Sequence, residues 1–513
     1  MKGYLVCLFT MLLCSTGWSQ GLSDLVNDAI NINKQCEALF DSGSQSYYDG
    51  RYVESLNYFL KASALGSDKA MAEVGYAYLH GKGVTENNDS AIVWFIKASD
   101  LGNATGLHNL GACYEHAWGT KTDYAQAMKY YTMSAEKNNG ISIYRIGYLY
   151  EYGLGVEKND TTAFNYYLKA ANLTDDRNAK YAQYALALLY SSGRGTKRDD
   201  TEAMKWLTLS AQADYTDAQI ELGYMYTQGT GTPRNYESAY YWYNKAAEKD
   251  DPSGLFNIGY LYDAGKGVKM NKEKAVEYYK RAAQKGSASG QLNLGYCYEY
   301  GTGVKQNMEI AFTWYSLAAN NNSPIAMSNL AYLYQYGRGT VIDLKMAGEW
   351  YKKAADLGHK TAQYRLGLAY EQGTLFAIDT VQALEWYKKA ADQEYVSAMN
   401  NYAWLCAVQK IKLDEAKQYA ADAVRLEPTD YNAMDTYAYI LFLLNNYSAA
   451  ADWELKALNL GGSKYAAYLE RYGDILFKQG SADDALKYWR KAKKLSGYSS
   501  MLDTKIATGH YID

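Results

Sequence analysis

Proline is nearly absent, with 4 residues in a chain of 513, and histidine is hardly commoner, with 5. So little proline excludes a Pro-rich linker protein. Cysteine is sparse as well: of 6, Cys7 and Cys14 sit in an N-terminal apolar segment, and Cys36, Cys113, Cys297 and Cys406 stand too far apart to form a metal or redox motif. There is no excess of positive charge. The formal net charge is −4 and the pI about 5.9, so nucleic acid is not an expected partner.

Long apolar runs are also missing, with one exception. Tyr4 to Cys14 follows Lys2 and precedes the small residues Ser15-Thr16-Gly17-Trp18-Ser19, the make-up of an export signal cleaved near Ser19 or Gln20. Lipidation at Cys14 is the rival reading, disfavoured by Leu13 in front of it. No later stretch reaches the roughly 18 apolar residues that span a bilayer, so no transmembrane helix is expected in the mature chain. Export predicts a periplasmic, cell-surface or secreted protein, or an endoplasmic-reticulum luminal one in a eukaryote. A phosphate loop, a nucleophile elbow and a metalloprotease helix are all lacking, so no catalytic residue and no cofactor is expected. His80 and His116 lie one repeat apart but have no third ligand at hand, and metal binding is not expected.

What the chain has in abundance is tyrosine, 55 residues, and glycine, 43. The glycines fall into a recurring turn: Gly81-Lys82-Gly83, Gly153-Leu154-Gly155, Gly193-Arg194-Gly195, Gly229-Thr230-Gly231, Gly265-Lys266-Gly267, Gly301-Thr302-Gly303 and Gly337-Arg338-Gly339. Ala117-Trp118-Gly119 and Gly373-Thr374-Leu375 are degenerate copies. The period is 36 residues, with one slip of four residues placed around Asn172 to Asp176. After each turn an alanine is followed three residues on by Trp or Tyr, as Ala311 is by Trp314, with an apolar residue next and a small one at the seventh place. That spacing is one face of an α-helix, on which the Trp or Tyr is expected to fill the space between neighbouring helices. Four residues before each marker alanine stands Asn87, Asp123, Asn159, Asp199, Asn235, Asn271, Asn307, Asp343 or Asp379. Exclusive use of Asn and Asp predicts N-caps, whose side chains accept from free amides of the first turn. Before the turn, a small-x-x-x-apolar-small pattern ending in Tyr-x-x-Gly predicts another helix, closed by a left-handed glycine.

Each unit is therefore helix, glycine turn, helix. Segments such as Asn293-Leu294-Gly295-Tyr296-Cys297-Tyr298-Glu299-Tyr300-Gly301-Thr302-Gly303-Val304, followed by Ala311-Phe312-Thr313-Trp314-Tyr315, resemble Sel-one-like repeats of the tetratricopeptide superfamily. The resemblance implies an all-α, right-handed α-solenoid that holds other proteins rather than an enzyme. The expected organisation is a signal peptide over 1–19, an N-terminal cap and tetratricopeptide-like repeat over 20–66, nine Sel-one-like repeats over 67–394, three tetratricopeptide-like repeats over 395–498, and a C-terminal cap or tail over 499–513. Cys113 and Cys297 share one repeat position that elsewhere holds Ala, Leu or Met, which predicts core thiols rather than disulfides.

The candidate binding surface is a stripe on the first helices. Tyr260, Tyr296 and Tyr332 stand two residues before the tyrosine of Tyr-x-x-Gly, on nearly the opposite side of the helix. Asn257, Asn293 and Asn329 lie three residues earlier, and Tyr300 and Tyr336 four residues later. The alternatives are packing between helices and contact with a ligand. The expected function is an extracytoplasmic interaction scaffold with a protein or peptide in its concave groove. A glycan-binding module using the tyrosine ladder is the alternative.

Overall fold

The computed structural model describes residues 19–173 and 177–512; the apolar segment 4–14 and Cys14 lie outside them. Among the described residues there are 27 α-helices, one short 3-10 turn and no strand. No helix among them is long and apolar enough to cross a membrane. The chain divides into two compact units, 1–249 with 266–268, and 250–265 with 269–513.

In unit 1 the helices run from Ser19–Tyr48 to Tyr236–Ala247 as antiparallel pairs, each second helix packing on its own first helix and on the next. Tyr131 and Tyr167, wholly buried, fill the core with Ile143, Ile146 and Leu186. In unit 2 the pairs continue from Pro252–Ala264 to Ala482–Ala492 and end in a short helix, Leu502–Thr508. There, successive first helices touch one another more closely than successive second helices do, as 396–408 does 431–443. First helices thus lie on the inner side of the stack in that unit.

Local chemistry explains the elements. All nine Asn or Asp residues before the second helices cap them; Asn307 Oδ1, for example, accepts from the Ile310 amide at 3.0 Å. Eight first helices, from Ala104–His116 to Lys360–Gln372, end at left-handed residues, such as Gly301 at φ 70°. Ala117 holds the same conformation at φ 61° without being glycine.

The packing differs from expectation in one respect. The aromatic carrying most of the core is the residue after the expected one: Tyr315 is 0% exposed, whereas Trp314 is half-buried. Tyr279, Tyr351 and Tyr387 repeat this placement. The small residue of the facing first helix makes room, since a Cβ on Gly295 would come within 2.7 Å of the Tyr315 ring. The buried hydroxyl needs a partner, and Glu299 supplies it: Tyr315 donates to Glu299 Oε2 at 2.8 Å. In unit 1, Tyr131 and Tyr167 donate to Glu115 and Glu151 in the same way, each at 2.7 Å. Cys36, Cys113, Cys297 and Cys406 are free thiols, and burial pushes those of Cys113 and Cys297 up to about 12 and about 11.

Candidate functional site

The stripe residues come together on the first helices of unit 2. Tyr260, Tyr296, Tyr300 and Tyr336 are exposed at 40%, 51%, 58% and 50%, while Tyr332 and the three asparagines are half-buried. The tyrosines nearer the turn point the other way: Tyr334 meets Phe312 edge-on at 5.2 Å and Tyr262 stacks on Tyr278 at 5.8 Å. On two of these helices the rings pair, Tyr296 with Tyr300 at 4.5 Å and Tyr332 with Tyr336 at 4.6 Å, whereas Tyr260 has Ala264 four residues on. The pairing pre-orders two amphipathic rings in each of those two repeats, leaving a rigid surface with little side-chain entropy to lose on contact.

One of the asparagines serves partly inward. Asn293 Nδ2 donates to the Ser289 carbonyl of its own helix at 2.9 Å. Side-chain amides that bind inward through nitrogen still offer a carbonyl oxygen as acceptor. In unit 1 the same position holds Asn109 in one repeat and, in the next, Arg145 clamped on buried Glu115. Beside it, burial and then Arg145 push the His108 imidazole down to about 4, which keeps it neutral against Ser142 at 2.9 Å.

The stripe runs beyond the residues identified in the sequence. Two 36-residue periods after Asn329 and Tyr332 come Asn401 and Trp404, followed at a 35-residue step by Thr436 and Tyr439, then by Arg471. The change of period hid these positions, although Asn401 and Trp404 were still in register. Here the electrostatics turn unusual. Arg471 is ion-paired with buried Asp435 and lies 4.7 Å from the Tyr439 ring centre and 5.2 Å from that of Trp404. Burial would lower the guanidinium, but Asp435 and then Glu454 hold it up. Glu454 is wholly buried with no hydrogen-bond partner on either oxygen; burial, then Asp435, pushes its carboxyl far up. A proton kept there leaves one cation facing one anion. Among the described residues no group of three or more His, Cys, Asp or Glu is placed to hold a metal ion.

Stacked helical pairs with a repeated outward stripe define a scaffold for protein–protein interaction, a fold that is typically non-enzymatic. The Sel1 repeat family model matches ten stretches: 37–67, 68–103, 104–139, 140–175, 180–215, 216–251, 252–287, 288–323, 324–359 and 360–395. The chain belongs to the Sel1 repeat family. The match includes 37–67, within the segment expected to hold a tetratricopeptide-like repeat, and its one gap, 176–179, adjoins the four-residue slip. Among solved structures, the chain is similar to a protective antigen present in uropathogenic Escherichia coli strains that displays an SLR fold. The two are 25% identical over 92% of this chain and 98% of that one, with a TM-score of 0.61. It is also similar to a Sel1 repeat protein from Oxalobacter formigenes, 34% identical over 48% of this chain and 96% of the other, with a TM-score of 0.44. No curated protein matches the chain.

Proposed function

We propose that this protein is an extracytoplasmic scaffold that holds a protein or peptide along the first-helix stripe of unit 2. The observation that carries the proposal is the recurrence of half-exposed, paired tyrosines at one repeat position, Tyr296 with Tyr300 and Tyr332 with Tyr336. Isolated exposed aromatics are ordinary, but a periodic row of them with amide groups alongside marks an interaction surface. The export reading rests on the N-terminal segment, and the similarity to a bacterial protective antigen supports it, since an antigen is met by antibodies outside the cytoplasm.

The test replaces Asn293, Tyr296, Asn329 and Tyr332 together with alanine and compares partners recovered by affinity purification, signal segment intact. The matched control replaces Lys280 and Lys352, which are exposed on second helices. Loss of partners with helix content retained supports the proposal; unchanged recovery removes it. Stabilisation of the wild type by soluble oligosaccharide alone, in a thermal-shift titration, would turn the stripe into a glycan site. Export is checked by the mature N-terminus, expected near Gln20 by mass spectrometry.

A further inference from the structure

In a chain whose formal net charge is −4, residues 482–498 carry Lys487, Arg490, Lys491, Lys493 and Lys494 against only Asp483 and Asp484. Lys493 is paired with Asp503 at 2.6 Å, while the other four, all exposed, have no acidic partner among the described residues. Steps of three and four place those four on one side of helix 482–492 and the turn that ends it. Lys491 and Lys494 line a cavity of about 520 Å³ together with Leu455, Leu458, Leu469 and Leu495, and no acid lines it. We propose that this cavity holds one anionic phospholipid of a membrane surface, its phosphate between the two ammonium groups and an acyl chain against the four leucines.

The cavity lies between the second helices 447–459 and 482–492, at the joint leading to the first helix 466–478. That joint runs over 460–465 and includes a 3-10 turn, Gly462–Lys464, whereas joints of the array are as short as 285–287. Second helices lie on the outer side of unit 2, away from the tyrosine stripe. A lipid here leaves that stripe open to a protein partner.

An apolar floor under a cationic rim fits an amphiphile with negative charge at one end. Leu458 and Leu469 are buried in the floor, and Leu455 stays 38% exposed at the mouth, where hydrocarbon laid over it would remove it from water. The Lys491 ammonium lies 4.3 Å from the centre of the Tyr488 ring, so its stem covers apolar surface while its charge stays outside. No arginine lines the cavity. Fixed, two-point recognition of a carboxylate draws on the arginine fork, whereas lysines act as point charges on flexible stems and can follow a mobile phosphate. Lys487 and Arg490, on the same side, add to the attraction of an anionic leaflet without entering the cavity. Attachment of this kind needs no membrane-spanning helix, and none is found among the described residues.

This site goes beyond the scaffold reading and stands or falls separately from it. The test is co-flotation of the full chain, as processed on export, with vesicles of phosphatidylcholine alone or with about one-third phosphatidylglycerol. The chain should float with the anionic vesicles only. Lys491→Glu with Lys494→Glu should weaken that binding by about tenfold or more. Leu455→Gln should weaken it about threefold to fivefold, through the lost apolar contact. Lys280→Glu with Lys352→Glu, the same change of charge on other second helices, should bind as the wild type does. The substituted side chains are all exposed, so each variant should keep the wild-type melting curve. Equal flotation with phosphatidylcholine alone, or none with either vesicle, overturns the proposal. Loss in the lysine variant without loss in Leu455→Gln reduces the face to charge alone and overturns the cavity. Displacement from vesicles by soluble glycerol phosphate would assign the site to a free anion, and binding to polyglutamate in place of vesicles to an acidic protein; either result overturns the lipid.

Discussion

Two helical pairs of unit 2, 288–320 and 466–492, solve one problem with different residues. In both, an aromatic of the second helix buries a polar hydrogen that an acid on the first helix must receive. Tyr315 donates to Glu299 at 2.8 Å, and Trp489 Nε1 donates to Asp474 at 2.9 Å. Each acid then needs a cation. For Glu299 it comes from the turn of the next repeat, Arg338 at 3.4 Å; for Asp474 it comes from the short helix 502–508, Lys505 at 2.8 Å. That segment thus does for Asp474 what the neighbouring turn does for Glu299. It is also buried more deeply: the Lys505 side chain is 6% exposed against 37% for Arg338.

The largest expected effect sharpens the common half of this comparison. Tyr315→Ala should cost roughly 3–5 kcal/mol of local stability. Trp314→Ala, at a half-buried position, should cost about 1–2 kcal/mol. Hydrogen exchange of helices 288–300 and 308–320 reads the difference, and equal losses would return the core to Trp314.

The cations should then part company. Lys505→Ala leaves Glu470 and Asp474 facing each other unpaired and should cost about 3 kcal/mol. Arg338→Ala, at a more exposed pair, should cost under about 1 kcal/mol. Urea unfolding followed by proteolysis of the C-terminal helices would show it, and comparable losses would break the contrast.

The C-terminal pairs also carry a pH prediction. The Glu454 carboxyl is raised in the folded chain, so folding favours its protonated form. Stability is therefore complete below the ordinary glutamate value of about 4.3 and declines as pH rises, by at most about 1.4 kcal/mol for each pH unit, until the folded carboxyl itself ionises. Glu454→Gln should flatten that decline between pH 5 and 8. A decline unchanged by the substitution would place the proton elsewhere. The smallest effect is a cap: Asn307→Ala should cost about 1 kcal/mol, measured by the same exchange experiment.

Features that repeat were legible in the sequence. The nine caps and the closing glycines depend on residues three or four apart, and such spacing survives in a linear reading. The outward set of Tyr296, Tyr300 and Tyr336 was legible for the same reason, because residues two apart on a helix diverge in direction. Tyr315 was displaced by one place, since adjacent large aromatics both satisfy an apolar face and only the facing Gly295 decides between them. The Arg471, Asp435 and Glu454 cluster left no local trace, being assembled from three helices. Lys505 meets Asp474 across 31 positions, where no periodicity operates.

The second glycine of each turn has a consequence for how such a protein changes length over time. A Cβ on Gly303 would lie 2.9 Å from the Glu273 backbone nitrogen and nearer still to Lys272, so the turn seats directly on the start of the preceding second helix. At φ 69° the same position also resists replacement by any residue with a side chain. Single-residue insertions between one seat and the next disturb that fit. Loss or duplication of a whole 36-residue block, such as 288–323, brings an equivalent glycine onto an equivalent helix. Recombination between homologous repeats in the gene can therefore shorten or extend the array while each joint keeps its shape, and the ends with their own chemistry remain outside the exchange.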